Sequence, residues 1–333
     1  MYPVKALRGI SLDSTKLGPQ GIQYDRRFML CRVSDAGELS KIQLSGNPEC
    51  SLFAQDIVDD HIHIRYMTPK KRLVPEDPLQ ETTLEIPLEP DTSELHRSDL
   101  NLHQSKVWAY RVGEQYDAWF TACFGFPVAL LYIGEKRRPV LGTFSPRGVT
   151  DSAKGWLSSV SSYVMGGEPE PDWLAFSDFA PYLVATDTSL NNVRKRLSSG
   201  DVDMLKFRPN IVVSGEGEWD EDYWAELDLN GESAILLTKL CNRCSSVNVD
   251  YDTGKVAEGE RGTVLKKLMS DRRVDKGFSW SACFGRYGFL ADGIESLDIA
   301  IGDEMNVVRR TEERPVFDWP IKRESPGRYY NYK

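Results

Sequence analysis

The residues best equipped for chemistry are two cysteines three positions apart, in Cys241-Asn242-Arg243-Cys244, directly after the apolar run Ile235 to Leu240. A cysteine beside Arg243 has its thiolate favoured by the neighbouring cation, which suits a nucleophile or a ligand for a soft metal. Several readings stay open on the residues alone. Structural zinc needs four ligands, but there is no second C-x-x-C, and all four histidines, His61, His63, His96 and His103, lie in the first third of the chain. A redox dithiol wants its pair at the start of a helix in a βαβ unit, whereas Val247 to Gly254 reads as a strand and a D-x-x-x-G turn. The plainest alternative is two cysteines that fill space near a loop.

Four basic residues sit in distinctive local contexts: Lys5 in Tyr2-Pro3-Val4-Lys5, Arg27 in Asp25-Arg26-Arg27-Phe28, Arg208 in Phe207-Arg208-Pro209-Asn210, and Arg243. Brought together they would form a small cationic pocket suited to a phosphorylated small molecule. Taken singly, each reads more simply as a surface or ion-paired residue. The chain as a whole is acidic, with 41 Lys and Arg against 50 Asp and Glu, a net charge of −9. That balance argues against a protein that grips a phosphate backbone. There is no G-x-S-x-G, and neither Gly215-Glu216-Gly217 nor Gly285-Arg286-Tyr287-Gly288 has the spacing of a phosphate loop.

The elements that must position these residues are mostly strands. Runs at Arg27 to Val33, His61 to Tyr66, Lys106 to Val112 and Val128 to Ile133 are short and rich in β-branched or aromatic residues. Met67 to Asp99 carries five prolines and no sustained apolar face, so a surface excursion with one strand at Thr83 to Ile86 is expected. A helix is expected around Asp117 to Cys123, and Pro139 to Pro171 reads as a connector. Beyond it lie helices at Ser189 to Leu197, capped by Thr188, and Thr263 to Met269, with strands at Ile211 to Val213, Ala234 to Lys239 and Met305 to Val308. The proline-rich tail after Glu312 is expected to wrap the surface or fray. The longest apolar run, Phe126 to Ile133, is far short of the roughly 20 residues that span a bilayer, and the first residues lack a signal-peptide core. Six cysteines are too sparse for a disulfide scaffold, so a reducing compartment is expected.

Taken together, these segments resemble the MOSC superfamily, and within it the two-domain proteins of the mitochondrial amidoxime-reducing component type. The carriers are Tyr2-Pro-Val-Lys5, Asp25-Arg-Arg-Phe28, Phe176-Ser-Asp178 with Pro181, Phe207-Arg-Pro-Asn210 running on to Val213, and Glu221-Asp222 with Trp224. Cys241-x-Arg-Cys244 followed by Asp250-x-Asp252-Thr-Gly254, and Phe284-Gly285 with Ile301-Gly-Asp303, complete them. The resemblance implies a mixed α/β but β-rich fold: an N-terminal MOSC-associated β-barrel-like domain over residues 1–140, a MOSC β-barrel domain with a few helices over 150–312, and a tail over 313–333.

The same resemblance implies a molybdenum cofactor. Its molybdopterin would be held by Lys5, Arg27, Arg208, Asn210, Asn242 and Arg243, and Cys244 would be the metal's protein ligand and the catalytic residue. The implied reaction is two-electron reduction of N-hydroxylated compounds such as amidoximes and hydroxylamines, N–OH to N–H. No ferredoxin-type cysteine set is present, so electrons are expected from cytochrome b5 and its NADH-dependent reductase or an equivalent donor. The alternative function is a cofactor-binding or carrier module like that of the sulfurases. Location is expected to be cytoplasmic, or the mitochondrial outer membrane if an N-terminal anchor has been removed, and not secreted. Ala6 and Phe179-Ala180 stand where family members often carry hydroxyls, and Lys41 to Pro48 diverges from the family's basic stretch, which puts substrate scope in question more than metal binding.

Overall fold

A computed structural model describes residues 1–103, 105–147 and 172–319. Its first half is an antiparallel five-stranded sheet, ordered Leu39–Lys41, Phe28–Val33, Val128–Tyr132, Ser105–Arg111 and Arg97–Leu102, beside the meander Phe53–Val58, His61–Tyr66 and Leu84–Pro87. The helix Glu114–Phe124 packs into it, burying Trp119, Phe120 and Phe124, with Phe124 stacked on Phe53 at 4.8 Å. Asp117 is buried on this helix because it ties two strands to it. Its carboxylate accepts from the Leu130 amide at 2.7 Å and from Arg111 Nε at 2.5 Å.

The second half is a six-stranded sheet, ordered Ile211–Val213, Tyr182–Thr186, Cys283–Leu290, Glu232–Asn242, Trp224–Leu229 and Met305–Arg310. Only the first pair is parallel, and a parallel pair needs a crossover, which the helix Asp187–Lys195 provides. The chain is therefore strand-rich in both halves, with few helices, as expected.

The ends of the chain lock the halves together. Ser14–Gly18 pairs with Gly21–Ile22 on one side and with Leu297–Ala300 on the other. Met1, Leu17 and Ile22 sit in the core of the second half, while Val4 and Leu7 sit in that of the first. Residues 1–10 thus run along the junction, and this carries Tyr2 and Lys5 to it.

Three local expectations are corrected. The crossover helix begins two residues earlier than expected, and its cap is Thr186, not Thr188: the buried Thr186 hydroxyl accepts from the Ser189 amide at 3.2 Å, while Thr188 turns outward to Gly217. The excursion after Met67 is more structured than its prolines suggest. Besides Leu84–Pro87 it holds a 3-10 turn at Pro78–Glu81, where buried Gln80 donates to the carbonyls of Pro75 and Ala122. The tail as far as Trp319 packs inward: Phe317 is buried and its amide donates to Asp275 at 2.9 Å. Most of the expected connector and the rest of the tail lie outside the described residues.

Candidate functional site

The strand Glu232–Asn242 shifts register against Cys283–Leu290 towards its end, where Cys241 is skipped and Asn242 pairs with Cys283. The turn is then held by the residues just before the opposite strand: the Arg243 amide donates to Ala282 O at 2.8 Å, and Ser281 Oγ donates to Arg243 O at 2.5 Å. Asn242 Nδ2 is fixed by Asp275 at 3.2 Å. These bonds separate the two cysteines. Cys241 is buried, its sulfur accepting from the Arg243 guanidinium at 3.0 Å and donating to the Tyr287 hydroxyl at 3.3 Å. Cys244 is exposed, and among the described residues its sulfur has one hydrogen-bond partner, Ser246 Oγ at 3.1 Å.

Cys244 opens into a cavity of about 540 Å³ lined from both halves of the chain. Six of the seven expected site residues line it: Lys5, Arg208, Asn210, Asn242, Arg243 and Cys244. Arg27 does not, and its expected place is corrected. Arg26 takes a left-handed backbone (φ 51°), and Arg27 is sent the other way, donating to Gly134 O and lying over the Tyr132 ring in a different cavity. Arg26 is the arginine at the site, paired with Asp25 and bonded to Asn210 Oδ1 at 3.3 Å.

The cations are built in rather than draped over the surface. The guanidinium groups of Arg26 and Arg208 both lie over the Tyr2 ring, 4.8 and 4.2 Å from its centroid. Arg208 also donates to Leu7 O at 2.7 Å from a left-handed backbone (φ 56°). Lys5 is buried and donates to Phe176 O at 2.6 Å and Asp178 Oδ1 at 2.5 Å. Burial pulls its ammonium down to about 8, against the attraction of Asp178. Buried Arg243 lies 5.5 Å from the Phe207 ring and keeps its Nε without a partner. Four cations therefore face one carboxylate, Asp178, among the described lining residues of an acidic protein.

Asp178 belongs to a segment fixed from behind. Arg138 is fully buried and donates to the carbonyls of Ser177 and, at 2.8 Å, of Asp178. At the cavity Asp178 also meets His103 Nε2 at 2.9 Å. The wall beside them is aromatic, formed by Phe179, Phe317, Trp319 and Tyr287, with Phe179 on Phe144 at 4.7 Å. Arg26, His103 and Asp178 are the site residues that sequence reasoning missed. Asp178 was visible as part of Phe176-Ser-Asp178, whereas nothing local chooses between two adjacent arginines or points to His103.

Comparison with known proteins decides the family. Residues 1–127 match the MOSC N-terminal beta barrel domain, and residues 171–306 match the MOSC domain. The chain is a two-domain MOSC protein. It is 26% identical over 298 residues to mitochondrial amidoxime-reducing component 1 of Homo sapiens, covering 87% of this chain and 77% of that protein. It is 27% identical over 305 residues to mitochondrial amidoxime reducing component 2 of Rattus norvegicus, covering 90% and 79%. It is also 26% identical over 284 residues to the molybdenum cofactor sulfurase of Oryza sativa subsp. japonica, covering 82% of this chain but only 30% of the sulfurase. Among the described residues, no group of three or more His, Cys, Asp or Glu side chains could hold a metal ion. No helix among them is long and apolar enough to cross a membrane.

Proposed function

We propose that this MOSC protein is a molybdenum-cofactor-dependent reductase of N-hydroxylated compounds, such as amidoximes and hydroxylamines. The observation that carries the reading is the cavity itself: one exposed thiol, Cys244, on a wall where four cations converge, one with an unpartnered buried nitrogen. This donor set fits the cofactor. A soft thiolate suits molybdenum, whose remaining sulfurs the pterin supplies, and Arg and Lys suit a phosphate dianion. Cys244 would ligate the metal. Lys5, Arg26, Arg208, Asn210, Asn242 and Arg243 would hold the pterin and its phosphate, with Arg243 Nε free to donate. When bound, the cofactor supplies two-electron chemistry that takes oxygen from N–OH.

The chain's own residues do the rest. The Tyr2 ring fixes two of the cations before any ligand arrives, so little side-chain ordering is left for binding. The aromatic wall offers an apolar face to the body of a substrate whose polar N–OH end points to Cys244. Reducing equivalents would come from an external one-electron donor, a cytochrome b5 with its NADH-dependent reductase or an equivalent. The sulfurase likeness supports a second reading, a module that binds or passes on the cofactor without turnover. Turnover separates them: cofactor-loaded protein given a reduced viologen should oxidise it only when an amidoxime is added. A loaded protein that leaves the viologen reduced favours the carrier.

A further inference from the structure

Reduction of N–OH consumes protons, and the cavity contains a group placed to deliver them. We propose that His103 is the proton-delivering residue of this cavity, drawing on the Lys5–Asp178 pair and serving bound N-hydroxylated substrates; this rests on the reductase reading above. His103 stands at the turn between Arg97–Leu102 and Ser105–Arg111, in a left-handed backbone (φ 53°) that turns its ring into the cavity.

Every group around His103 bears on its proton. Nε2 meets Asp178 Oδ1 at 2.9 Å, and the same oxygen accepts from Lys5 Nζ at 2.5 Å. Arg138 lies behind, on the Ser177 and Asp178 carbonyls. The Phe179 ring packs at 5.0 Å, and Trp319 Nε1 donates to the His103 carbonyl at 3.0 Å. Asp318, next to Trp319, is turned away to Thr143 and Lys239. His103 Nδ1 has no hydrogen-bond partner among the described residues. With Nε2 held by the carboxylate, Nδ1 carries the transferable proton of the imidazolium.

The other titratable groups of the lining are poor donors. Arginines keep their protons. Burial drives the hydroxyls of Tyr182 and Tyr287 well above the ordinary tyrosine range. Lys5 has its ammonium spent on two inward bonds. Cys244 is the proposed metal ligand. His103, one-fifth exposed at 21%, can pick up protons from water and release them into the cavity.

The overall change is R₂N–OH plus two electrons and two protons giving R₂N–H and water. The N–O bond breaks, one proton ends on nitrogen and the other on the departing oxygen. The electrons come from the external one-electron donor. His103 gives up one proton at a time and is recharged from water, with Asp178 stabilising its cationic form.

The test uses His103→Gln, which can still donate to Asp178 but cannot pass a proton, together with Asp178→Asn. Molybdenum and pterin content, the pH profile of kcat for benzamidoxime with a dithionite-reduced viologen, and the imidazole nitrogen NMR signals of His103 in cofactor-free protein are measured in parallel. The expected result is a His103→Gln protein that loads cofactor as the wild type does. Its kcat at neutral pH should fall at least about tenfold, in the range general acids supply, and should lose the alkaline limb of the profile. In the NMR arm, Asp178→Asn should move the His103 Nε2 signal, because the carboxylate that meets it at 2.9 Å is gone. A loaded His103→Gln protein with wild-type kcat and profile overturns the proposal, and so does a His103 Nε2 signal indifferent to Asp178→Asn. Loaded wild-type protein that never turns over sinks the reductase reading instead.

Discussion

Glu221 stands at the start of a 3-10 turn with no exposure to solvent, and replacing it by Gln should change stability by an amount that depends on pH. One carboxyl oxygen accepts from Ser189 Oγ at 2.8 Å and Thr186 Oγ1 at 3.2 Å, and the other has no partner. Burial, aided by the adjacent Asp222, pushes the carboxyl up from 4.5 to about 7 against the pull of these hydrogen bonds and Arg272. The folded protein therefore keeps this proton to higher pH than the unfolded chain. Stability from the protonated group is fully present below 4.5 and is lost as pH rises through about 7. A gap of that size corresponds to about 3 kcal/mol. Gln keeps the acceptor for Ser189 and Thr186 and cannot ionise, so its stability should lack this decline. Urea denaturation followed by tryptophan fluorescence at pH 5 and pH 8, at equal ionic strength, measures it. The variant should gain about 3 kcal/mol on the wild type between the two conditions. An equal difference between the proteins at both pH values would refute the reasoning.

Three further outcomes follow from other parts of the molecule. Asp222→Ala should cost about 3–5 kcal/mol in thermal or chemical denaturation. It strips the partner from Arg272, bonded at 2.7 and 2.9 Å and lying 4.0 Å from the centroid of Trp219, and from Arg314 at 2.7 Å. Gly285→Ala should destabilise more than the control Gly293→Ala. Both glycines have φ 81°, but a Cβ at 285 meets Val184 O at 2.8 Å, while at 293 it meets nothing within 4 Å. In cofactor-free protein, binding of inorganic phosphate should weaken as pH rises through about 8, because Lys5, positive below that value, loses its charge above it. Calorimetric titration of Lys5→Met should flatten that limb, and an identical limb in both proteins would count against Lys5.

What the sequence made legible follows from how local each determinant is. His61–Tyr66 and Ile211–Val213 have the bounds read from their alternation and β-branched content, since both are set by neighbours one or two residues away. The crossover helix was placed two residues late because Thr186 is the last residue of a buried strand, and only the fold shows that its hydroxyl faces the helix. The cationic pocket was legible in type, through Lys5, Arg208 and Arg243, but not in membership. Arg26 and Arg27 have the same neighbours in sequence, and a left-handed φ at one decides which side each takes. His103 and Asp178 are 75 residues apart, and no pattern within either segment encodes that meeting. The tail lacks a period and so reads as a surface wrap or a frayed end, yet Phe317 fits the aromatic wall. Tertiary packing without periodicity leaves no local trace.

The most direct measurement of the proposed site is the molybdenum and pterin content of wild-type protein and of Cys244→Ala, both purified from a host that makes the cofactor. Cys244 is exposed and its one hydrogen-bond partner among the described residues is Ser246 Oγ, so the variant should fold as the wild type does. Near-stoichiometric molybdenum in the wild type, with metal lost or loosened in Cys244→Ala, is the expected result. A well-folded wild-type protein that carries neither metal nor pterin would contradict it.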